Sequence, residues 1–273
     1  MDKEFLERLY QKNQKCNDCP SRKSIAGFVH DLLGFLFPEY HRENYGSLGA
    51  FELFADKLKV DLELLTVGHL QEGKAVEEVV NKFFDQLEEL HDSISQDVKA
   101  MFDGDPAARS HTEIIRSYPG FIAIASYRIA HLLKQLGVML IPRIITEFAH
   151  GKTGIDIHPG AQIGSNFCID HGTGIVIGET TVIGNHVKIY QGVTLGGLSV
   201  DKSLADKKRH PTIEDHVVIY AGATILGGDT IVGHHSIIGG NVWLTRSVPP
   251  HTKVYYKAAL SNGSGETDII EFK

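Results

Sequence analysis

The chain has 273 residues, of which 42% are hydrophobic and 22% are charged, and its formal net charge at pH 7 is −7. That length suits about two domains, the apolar content is enough for a buried core, and the negative charge argues against nucleic-acid binding, which normally needs a basic face. No apolar run approaches the roughly 18 residues of a membrane span, and the first residues lack the apolar segment of a signal peptide, so we expect a cytoplasmic protein with neither nucleic acid nor a membrane as a partner.

The cysteines do not predict a disulfide framework, because there are only three in a chain of this length. Cys16 and Cys19 form a lone CxxC pair near the N-terminus. A structural zinc site would need two more ligands at a suitable spacing, and the sequence has no second pair. We therefore interpret Cys16 and Cys19 as reduced thiols, and Cys168, which lies in an apolar segment, as a packing residue.

The first 150 residues predict an α-helical domain. Apolar residues recur at helical spacing over residues 76–101, with acidic and amide residues between them. Further helices are predicted over residues 25–37 and 120–136, and from Pro142 to about residue 151. The apolar stripe of residues 76–101 suits either an intrachain core face or an interface between subunits, and the sequence leaves both interpretations open.

A different pattern begins after Gly151, where aliphatic residues recur every six positions. Ten positions carry this repeat, in three series: Ile157, Ile163 and Ile169; Ile177, Ile183, Ile189 and Leu195; Ile213, Ile219 and Ile225. No helix or ordinary strand has a period of six, whereas six residues form one short side of a triangular coil in a parallel β-helix. After Ile225 the phase is ambiguous, and the glycines that follow the aliphatic residues favour Val232, Ile238 and Leu244, which implies a slip of one residue. We therefore predict a helical domain over residues 1–150, a β-helix over 151–260 and a flexible polar tail over 261–273.

The six-residue period is interrupted at two places. Residues 170–174, which include His171, form the first interruption, and the long polar segment 196–212 forms the second. Interruptions of a solenoid become loops, and loops often carry functional residues. Other histidines of this region are interpreted as structural (His158) or as surface residues (His186, His216, His234 and His235).

Several segments resemble the serine acetyltransferase family. They read DPA at 105–107, YRIAH at 127–131, IDIHP at 155–159, DHGTGIVIGET at 170–180, VTLGG at 193–197 and RHP at 209–211. The resemblance covers about residues 103–250. It implies a left-handed parallel β-helix that forms a homotrimer or a dimer of trimers, with active sites between neighbouring subunits. It also implies transfer of an acetyl group from acetyl-CoA to the hydroxyl of L-serine, the first step of cysteine biosynthesis, without a metal.

The catalytic residues are those that match the family's motif. The resemblance implies that His171 is the general base, and imidazole suits this role because its pKa lies near the working pH. Asp156 matches the carboxylate that would orient the imidazole and stabilise its protonated form. Direct transfer in a ternary complex is expected, without an acyl-enzyme.

The substrate-binding residues are expected to carry both signs of charge, because serine has an ammonium and a carboxylate group. Asp105 and Asp170 match family positions that meet the substrate, with its ammonium as the expected contact. Arg209 suits the carboxylate, which a guanidinium binds with two parallel hydrogen bonds. His210 matches a second family histidine, which helps to place serine.

Acetyl-CoA is the implied co-substrate, and the positions that match the family's backbone contacts to it are Gly197, Ala221 and Gly240. Three departures from the family are visible. The interruption before the RHP segment is longer, Ile237 replaces a lysine common near the cofactor, and residues 254–257 replace a Gly-Val-Pro-Ala segment. The pantetheine contacts are therefore expected to be kept, while the contacts to the adenine end stay open.

Two further partners follow from the resemblance. L-cysteine is expected as a feedback inhibitor, because the residues that would hold the amino-acid substrate are present. Many family members end in an isoleucine that docks into O-acetylserine sulfhydrylase. This sequence ends in Glu271-Phe272-Lys273, which argues against docking by that mode.

Three other functions stay open. A related acetyltransferase acting on homoserine or a sugar would share the fold, although the charged residues at the site favour a small zwitterion. A zinc carbonic anhydrase on the same solenoid would need three converging histidines, for which His171, His186 and His216 are candidates. A non-catalytic scaffold would have no use for the pairing of His171 with Asp156.

Overall fold

The computed structural model describes residues 1–14, 20–41, 45–198, 207–261 and 267–271. Cys16 and Cys19, predicted to be reduced thiols, lie outside these residues, as do Phe272 and Lys273 at the C-terminus. Within the described parts, a helical region is followed by a solenoid of parallel strands, which confirms the predicted fold class. None of the helices in these parts is long and apolar enough to cross a membrane.

The helical region has the following elements in its described part: α1 Lys3–Gln14, α2 Arg22–Leu36, α3 Leu48–Thr66, α4 Val76–Asp85, α5 Leu87–Gly104, α6 His111–Ser117, α7 Pro119–Gln135 and α8 Ile141–Thr153. Ser21, Ser47 and Ser110 cap α2, α3 and α6, and each accepts a hydrogen bond from the backbone N–H three residues later. Pro142 lies in the first turn of α8, where its missing N–H leaves no hydrogen bond unmade.

The apolar stripe over residues 76–101 belongs to two helices. The chain leaves the helical conformation at Gln86, whose φ of −100° and ψ of 10° separate α4 from α5. The stripe is buried within the chain, and Phe83, Ile94 and Met101 are each at most 1% exposed. Of the two interpretations that the sequence left open, the structure therefore favours an intrachain core face.

In the described part of the solenoid there are fourteen short strands: β1 Asp156–Ile157, β2 Gln162–Ile163, β3 Cys168–Asp170, β4 Val176–Ile177, β5 Val182–Ile183, β6 Lys188–Tyr190, β7 Thr194–Gly196, β8 Thr212–Ile213, β9 Val218–Ile219, β10 Thr224–Leu226, β11 Ile231–Val232, β12 Ile237–Ile238, β13 Trp243–Leu244 and β14 Lys253–Val254. The first sheet contains β1, β4, β7, β10 and β13, the second β2, β5, β8 and β11, and the third β3, β6, β9, β12 and β14. The chain passes through the first, second and third sheets in turn, so each coil has three corners. We name each corner by the two sheets that it joins: first-to-second, second-to-third and third-to-first.

The repeated aliphatic residues form the core of the solenoid. Ile177, Leu195 and Ile225 stand in direct register along the first sheet and are at most 1% exposed. The slip of one residue after Ile225 is confirmed, because Val232 pairs with Ile213 and neither has exposed surface. Full burial of such a side chain contributes about 1.5–3 kcal/mol, so the stack of coils supplies much of the stability of this region.

Both predicted interruptions depart from the regular coil. At the third-to-first corner, residues 171–175 join β3 to β4, whereas only residues 191–193 join β6 to β7 in the next coil. The first coil therefore has two additional residues, which we assign to His171 and Gly172. The second interruption leaves the solenoid between β7 and β8 and lies partly outside the described residues.

A buried polar junction fastens α5 and α7 to the first coil. The Arg128 Nε lies 2.8 Å from Oδ2 of Asp97, and the same guanidinium donates to carbonyl oxygens at residues 163–164. Asp97 also accepts the backbone N–H of Phe167 at 2.8 Å. Because Asp97 is fully buried, loss of Arg128 would leave an unpaired charge in the interior. The junction fixes the end of α5, and therefore Asp105, beside the first coil.

The C-terminal segment differs from the flexible tail that was predicted. β15 Lys257–Ser261 and β16 Thr267–Glu271 pair as an antiparallel ladder. The prediction rested on polar and glycine content. It gave too little weight to the β-branched residues of β16, which favour a strand.

Candidate active site

The predicted catalytic and substrate-binding residues, apart from Asp156 on β1, fall into two groups on opposite edges of the first sheet. We call the group at the third-to-first edge the His171 cluster, which consists of Asp105, Tyr118, Asp170, His171 and Lys188. We call the group at the first-to-second edge the His210 cluster, which consists of His158, Glu179, Thr180, Lys208, Arg209 and His210.

The additional residues of the first coil place His171 outside the wall of the solenoid. Its φ of 57° lies in the left-handed region, and its side chain is 75% exposed. Gly172 follows with a φ of 94°. A Cβ at Gly172 would lie 2.5 Å from the Cδ1 of Ile155, so only glycine fits there. The imidazole is therefore presented to solvent by a backbone that glycine makes possible.

Two carboxylates flank His171. The ring Nε2 lies 3.7 Å from Oδ1 of Asp170, which is too long for a hydrogen bond. Asp105, just after α5, accepts the Tyr118 hydroxyl at 2.6 Å. This hydrogen bond is the main cause that lowers the pKa of Asp105, and the charges of Lys188 and His171 add to it. The same bond raises the pKa of Tyr118 to about 12, so the pair stays a carboxylate and a neutral phenol near neutral pH.

Lys188 holds Asp170 in place. Its Nζ lies 2.8 Å from Oδ2 of Asp170 and donates to the carbonyl oxygen of Gly104 at 2.7 Å. Burial lowers the pKa of Lys188, but the hydrogen bond to Asp170 and its charge outweigh burial and raise that pKa above its usual value. Neither Lys188 nor Tyr118 was among the residues predicted from the sequence. The spacing of the coils could have indicated Lys188. It pairs in register with Cys168, which lies two residues before Asp170, so its side chain could be expected near that carboxylate.

His210 is held as a neutral imidazole. Its Nδ1 accepts the backbone N–H of Thr180 at 3.1 Å, which assigns the ring proton to Nε2. Burial first, and then the positive charges of Arg209 and Lys208, lower the pKa of His210 to about 4. The ring packs over Gly178, where a Cβ would lie 2.0 Å from Cδ2. His210 therefore offers an N–H donor that does not titrate near neutral pH.

The guanidinium of Arg209 lies beside His210 and pairs with a carboxylate. Its Nη2 is 2.5 Å from Oε2 of Glu179. The backbone N–H groups of Arg209 and His210 both donate to the hydroxyl of Thr180, at 2.9 and 3.1 Å. Glu179, Thr180 and Lys208 also line a cavity of about 440 Å³ at this edge. Glu179 and Thr180 therefore position Arg209 and His210, the two predicted substrate-binding residues at this edge. Both belong to the DHGTGIVIGET segment, but no role was predicted for them from the sequence.

His158 was predicted to be structural, and its contacts fit that interpretation. Its Nδ1 accepts the backbone N–H of Gly160 at 3.0 Å within the turn after β1. Burial lowers its pKa below the usual value, so the ring is neutral near pH 7.

Asp156 does not meet His171 within one chain. It lies on β1, and its Oδ1 accepts a hydrogen bond from Nη1 of Arg143 at 3.2 Å. Among the described residues, the acidic neighbours of His171 in the same chain are Asp170 and Asp105. The predicted pairing of His171 with Asp156 therefore needs a second chain.

The three predicted CoA contacts divide over the same two edges. Ala221 and Gly240 lie on neighbouring coils at the third-to-first corner, where a Cβ on Gly240 would be 3.2 Å from the carbonyl oxygen of Ala221. Gly197 follows β7 at the first-to-second corner. One CoA molecule can contact all three positions only if the two edges are brought together.

The histidines considered for a carbonic anhydrase site do not converge. His186 and His216 stack at the second-to-third corner with ring centroids 4.7 Å apart. His171 lies at the third-to-first corner, on the other side of the third sheet. These three residues therefore share no metal position within one chain.

Known proteins similar to this chain share both its regions. A family model described as the N-terminal part of serine acetyltransferase matches residues 54–126. The plasmid serine acetyltransferase of Synechococcus elongatus is 46% identical over 254 residues, covering 84% of this chain and 79% of that protein. The serine acetyltransferase of Bacillus licheniformis is 50% identical over 156 residues, covering 57% of this chain and 70% of that protein.

Solved structures show the same arrangement of helices and solenoid. Serine acetyltransferase isoform 3 of Entamoeba histolytica, in complex with cysteine, has a TM-score of 0.78 and 36% identity, covering 86% of this chain and 82% of that chain. The Neisseria gonorrhoeae serine acetyltransferase, in complex with serine, has a TM-score of 0.59 and 26% identity, covering 86% of this chain and 95% of that chain.

Proposed function

Since the chain belongs to the serine acetyltransferase family, we propose that it transfers the acetyl group of acetyl-CoA to the hydroxyl of L-serine, giving O-acetyl-L-serine and CoA. One observation carries this proposal beyond the family resemblance. An exposed imidazole lies beside two carboxylates at one edge of the first sheet, and a guanidinium and a neutral imidazole lie at the other. Such a set suits a small zwitterion that must lose a hydroxyl proton.

The complete site is expected between neighbouring subunits of a trimer, alone or as part of a dimer of trimers. Because the two clusters flank the same sheet, a three-fold assembly around the first sheets would set the His171 cluster of one subunit beside the His210 cluster of the next. Asp156, which lies on the first sheet, would then approach His171 of the neighbouring subunit. The same assembly would join Gly197 of one chain to Ala221 and Gly240 of another around one CoA.

His171 acts as the general base in this proposal. The hydroxyl of serine is a poor nucleophile near neutral pH, so its proton passes to the imidazole as the oxygen attacks the thioester carbonyl carbon. The new C–O bond forms, and the C–S bond breaks when the tetrahedral intermediate collapses. The imidazolium then gives the proton to the leaving sulfur of CoA. Asp170 stabilises the imidazolium, and Asp156 of the neighbouring subunit orients the ring.

Serine is held by charges of both signs. Asp105 and Asp170 bind the ammonium, and Arg209 binds the carboxylate when its guanidinium exchanges Glu179 for the substrate. His210 donates its Nε2–H to an oxygen of serine and stays neutral, because its pKa is about 4. L-cysteine has the same ammonium and carboxylate groups, so it is expected to compete with serine. The E. histolytica relative in complex with cysteine supports this extension.

An acetyl-transfer assay tests the proposal. The protein is given acetyl-CoA with L-serine, L-homoserine or a galactoside, and the loss of thioester absorbance is followed so that added cysteine does not interfere. We expect a serine-dependent rate and a preference over homoserine of about 10-fold or more in kcat/KM, because one methylene changes the fit. L-cysteine should raise the KM for serine. A preference for homoserine or the sugar would contradict the proposal. A cytoplasmic location stays a prediction from the sequence.

A further inference from the structure

A column of rings runs along the second-to-third corner, away from both clusters. Asn166, His186, His216, His235 and His251 occupy this corner in the five successive coils, each with a φ between 57° and 59°. Neighbouring imidazoles stack, with centroids 4.7, 4.6 and 5.0 Å apart from His186 to His251. The tolerance of histidine and asparagine for the left-handed region, together with ring stacking, accounts for this column.

His234 is not part of the column, yet it lies against the end of it. Its Nδ1 is 3.1 Å from Nδ1 of His235, and its ring stands at 88° to that of His251, with centroids 4.9 Å apart. One ring nitrogen from each of His234, His235 and His251 lies within 4.8 Å of the other two. Stacking does not explain this convergence of three nitrogen atoms.

We propose that His234, His235 and His251 bind one divalent transition-metal ion, such as Zn²⁺ or Ni²⁺. Two nitrogens that bind one zinc ion at about 2.0–2.1 Å in a tetrahedral site lie roughly 3.4 Å apart. The 3.1 Å between the nitrogens of His234 and His235 is close to that value. Imidazole is a preferred ligand of zinc, nickel and copper, so these ions, rather than Mg²⁺ or Ca²⁺, fit the donor set.

The three rings can be reached by an ion from solvent. The backbone N–H of His234 donates to Oε2 of Glu214 at 2.8 Å, which fixes this turn. His235 and His251 are exposed and His234 is half-buried, so an ion can enter from solvent and a water molecule can complete its coordination.

The place of the site in the fold suggests what the ion does. His234 and His235 belong to the fourth coil and His251 to the fifth, which ends the solenoid. A shared ion would therefore fasten the last coil to the one before it. The second-to-third corner lies opposite the first sheet, so this site is independent of the trimer interface in the proposed function and does not rest on it.

Equilibrium dialysis of untagged protein against Zn²⁺ and, separately, Ni²⁺, followed by metal analysis, tests this inference. The test variant is His251→Asn and the matched control is His186→Asn. Both positions have the same left-handed φ, which asparagine adopts at the equivalent position, Asn166, in the first coil. We expect about one ion per chain for the wild type and for His186→Asn, and binding weaker by about tenfold or more for His251→Asn, which lacks one of three ligands.

Thermal unfolding supplies a second readout. Zn²⁺ should raise the Tm of the wild type and of His186→Asn by several degrees and should leave His251→Asn nearly unchanged. Equal binding by all three proteins, or no binding by the wild type, would overturn the inference. Acetyl transfer is measured on the same samples without metal and should be equal in the three proteins, so a failure of the proposed function is recognised separately.

Discussion

The two edges of the first sheet differ in how they handle charge. At the third-to-first edge, hydrogen bonds keep a carboxylate ionised, since the Tyr118 hydroxyl lowers the pKa of Asp105. At the first-to-second edge, burial and neighbouring cations keep an imidazole neutral, with a pKa of about 4 for His210. The first edge attracts a proton or an ammonium group, whereas the second repels both and offers donors to an anion.

This difference separates the roles of the two candidate histidines. A general base must accept a proton near the working pH, and His210 cannot do so because its environment penalises the cation. The His171 side chain is 75% exposed, so a substrate hydroxyl can reach it, and the carboxylate of Asp170 lies 3.7 Å from its Nε2. Of the two histidines, His171 is therefore the one that its surroundings suit to act as the general base.

Replacing each of the two histidines in turn tests whether the two edges have these different roles. His171→Asn should lower kcat by about 10²–10⁴-fold, which is the usual contribution of a general base, while the chain folds normally because asparagine tolerates the left-handed φ of 57°. His210→Asn should mainly raise the KM for serine. Steady-state kinetics with calorimetric CoA binding as the folding control distinguishes the two. A kcat near that of the wild type for His171→Asn would show that the base lies elsewhere.

A mixture of chains tests whether the edges meet between subunits. Asp156→Asn and His171→Asn should each be nearly inactive alone, but when they are co-expressed one site in four should receive an intact Asp156 and an intact His171. Activity should then return to about one quarter of the wild-type level in randomly mixed trimers.

Co-expression of His171→Asn with His171→Ala is the control for that mixture, because both chains lack the same half of the site. If the Asp156→Asn and His171→Asn mixture stays as inactive as its parents, the two residues do not act across a subunit boundary.

The sequence predicted the solenoid well because its period leaves few alternatives. The aliphatic residues of the six-residue repeat must face inward, and the same rule located the slip after Ile225 and the interruption that contains His171. The helix α3 escaped prediction because its apolar residues are not confined to one face, and Leu53 and Leu64 are about 70% exposed while Leu58 and Leu62 are buried.

The site was predicted less completely than the fold. Matching motifs identified the residues that would touch the substrate, but not those that hold them. Tyr118 and Lys188 come from distant parts of the sequence, and only the packing of the helical region on the first coil brings them to Asp105 and Asp170. The separation of His171 from Asp156 within one chain could not be read from spacing either, because it depends on where the side chains lie around the coil.

A smaller effect is expected at the cationic edge. Arg209→Ala should raise the KM for serine by about 10–100-fold, which corresponds to the loss of a charge-assisted hydrogen bond to the substrate carboxylate. The KM for acetyl-CoA should change little. Arg246→Ala, at an exposed arginine of the fifth coil, is the matched control and should leave both constants unchanged. Equal changes for serine and acetyl-CoA would place Arg209 outside the serine subsite.

The smallest effect concerns the hydrogen bond that keeps Asp105 ionised. Tyr118→Phe removes the donor, so the pKa of Asp105 should rise towards its usual value. The carboxylate is then lost at a higher pH than in the wild type, and ammonium binding weakens as the pH falls. We expect the KM for serine to rise by about twofold over the wild type as the pH falls to roughly 4, near the usual pKa of an aspartate, and to equal the wild-type value from about pH 6 upwards. The readout is the KM for serine, because Asp105 is proposed to bind the substrate ammonium and not to take part in the proton transfer. Tyr220→Phe, at an exposed tyrosine on the same side of the solenoid, should keep the wild-type profile. A Tyr118→Phe profile that does not move, or moves towards lower pH, would mean that the charge of Asp105 is not what holds the ammonium group.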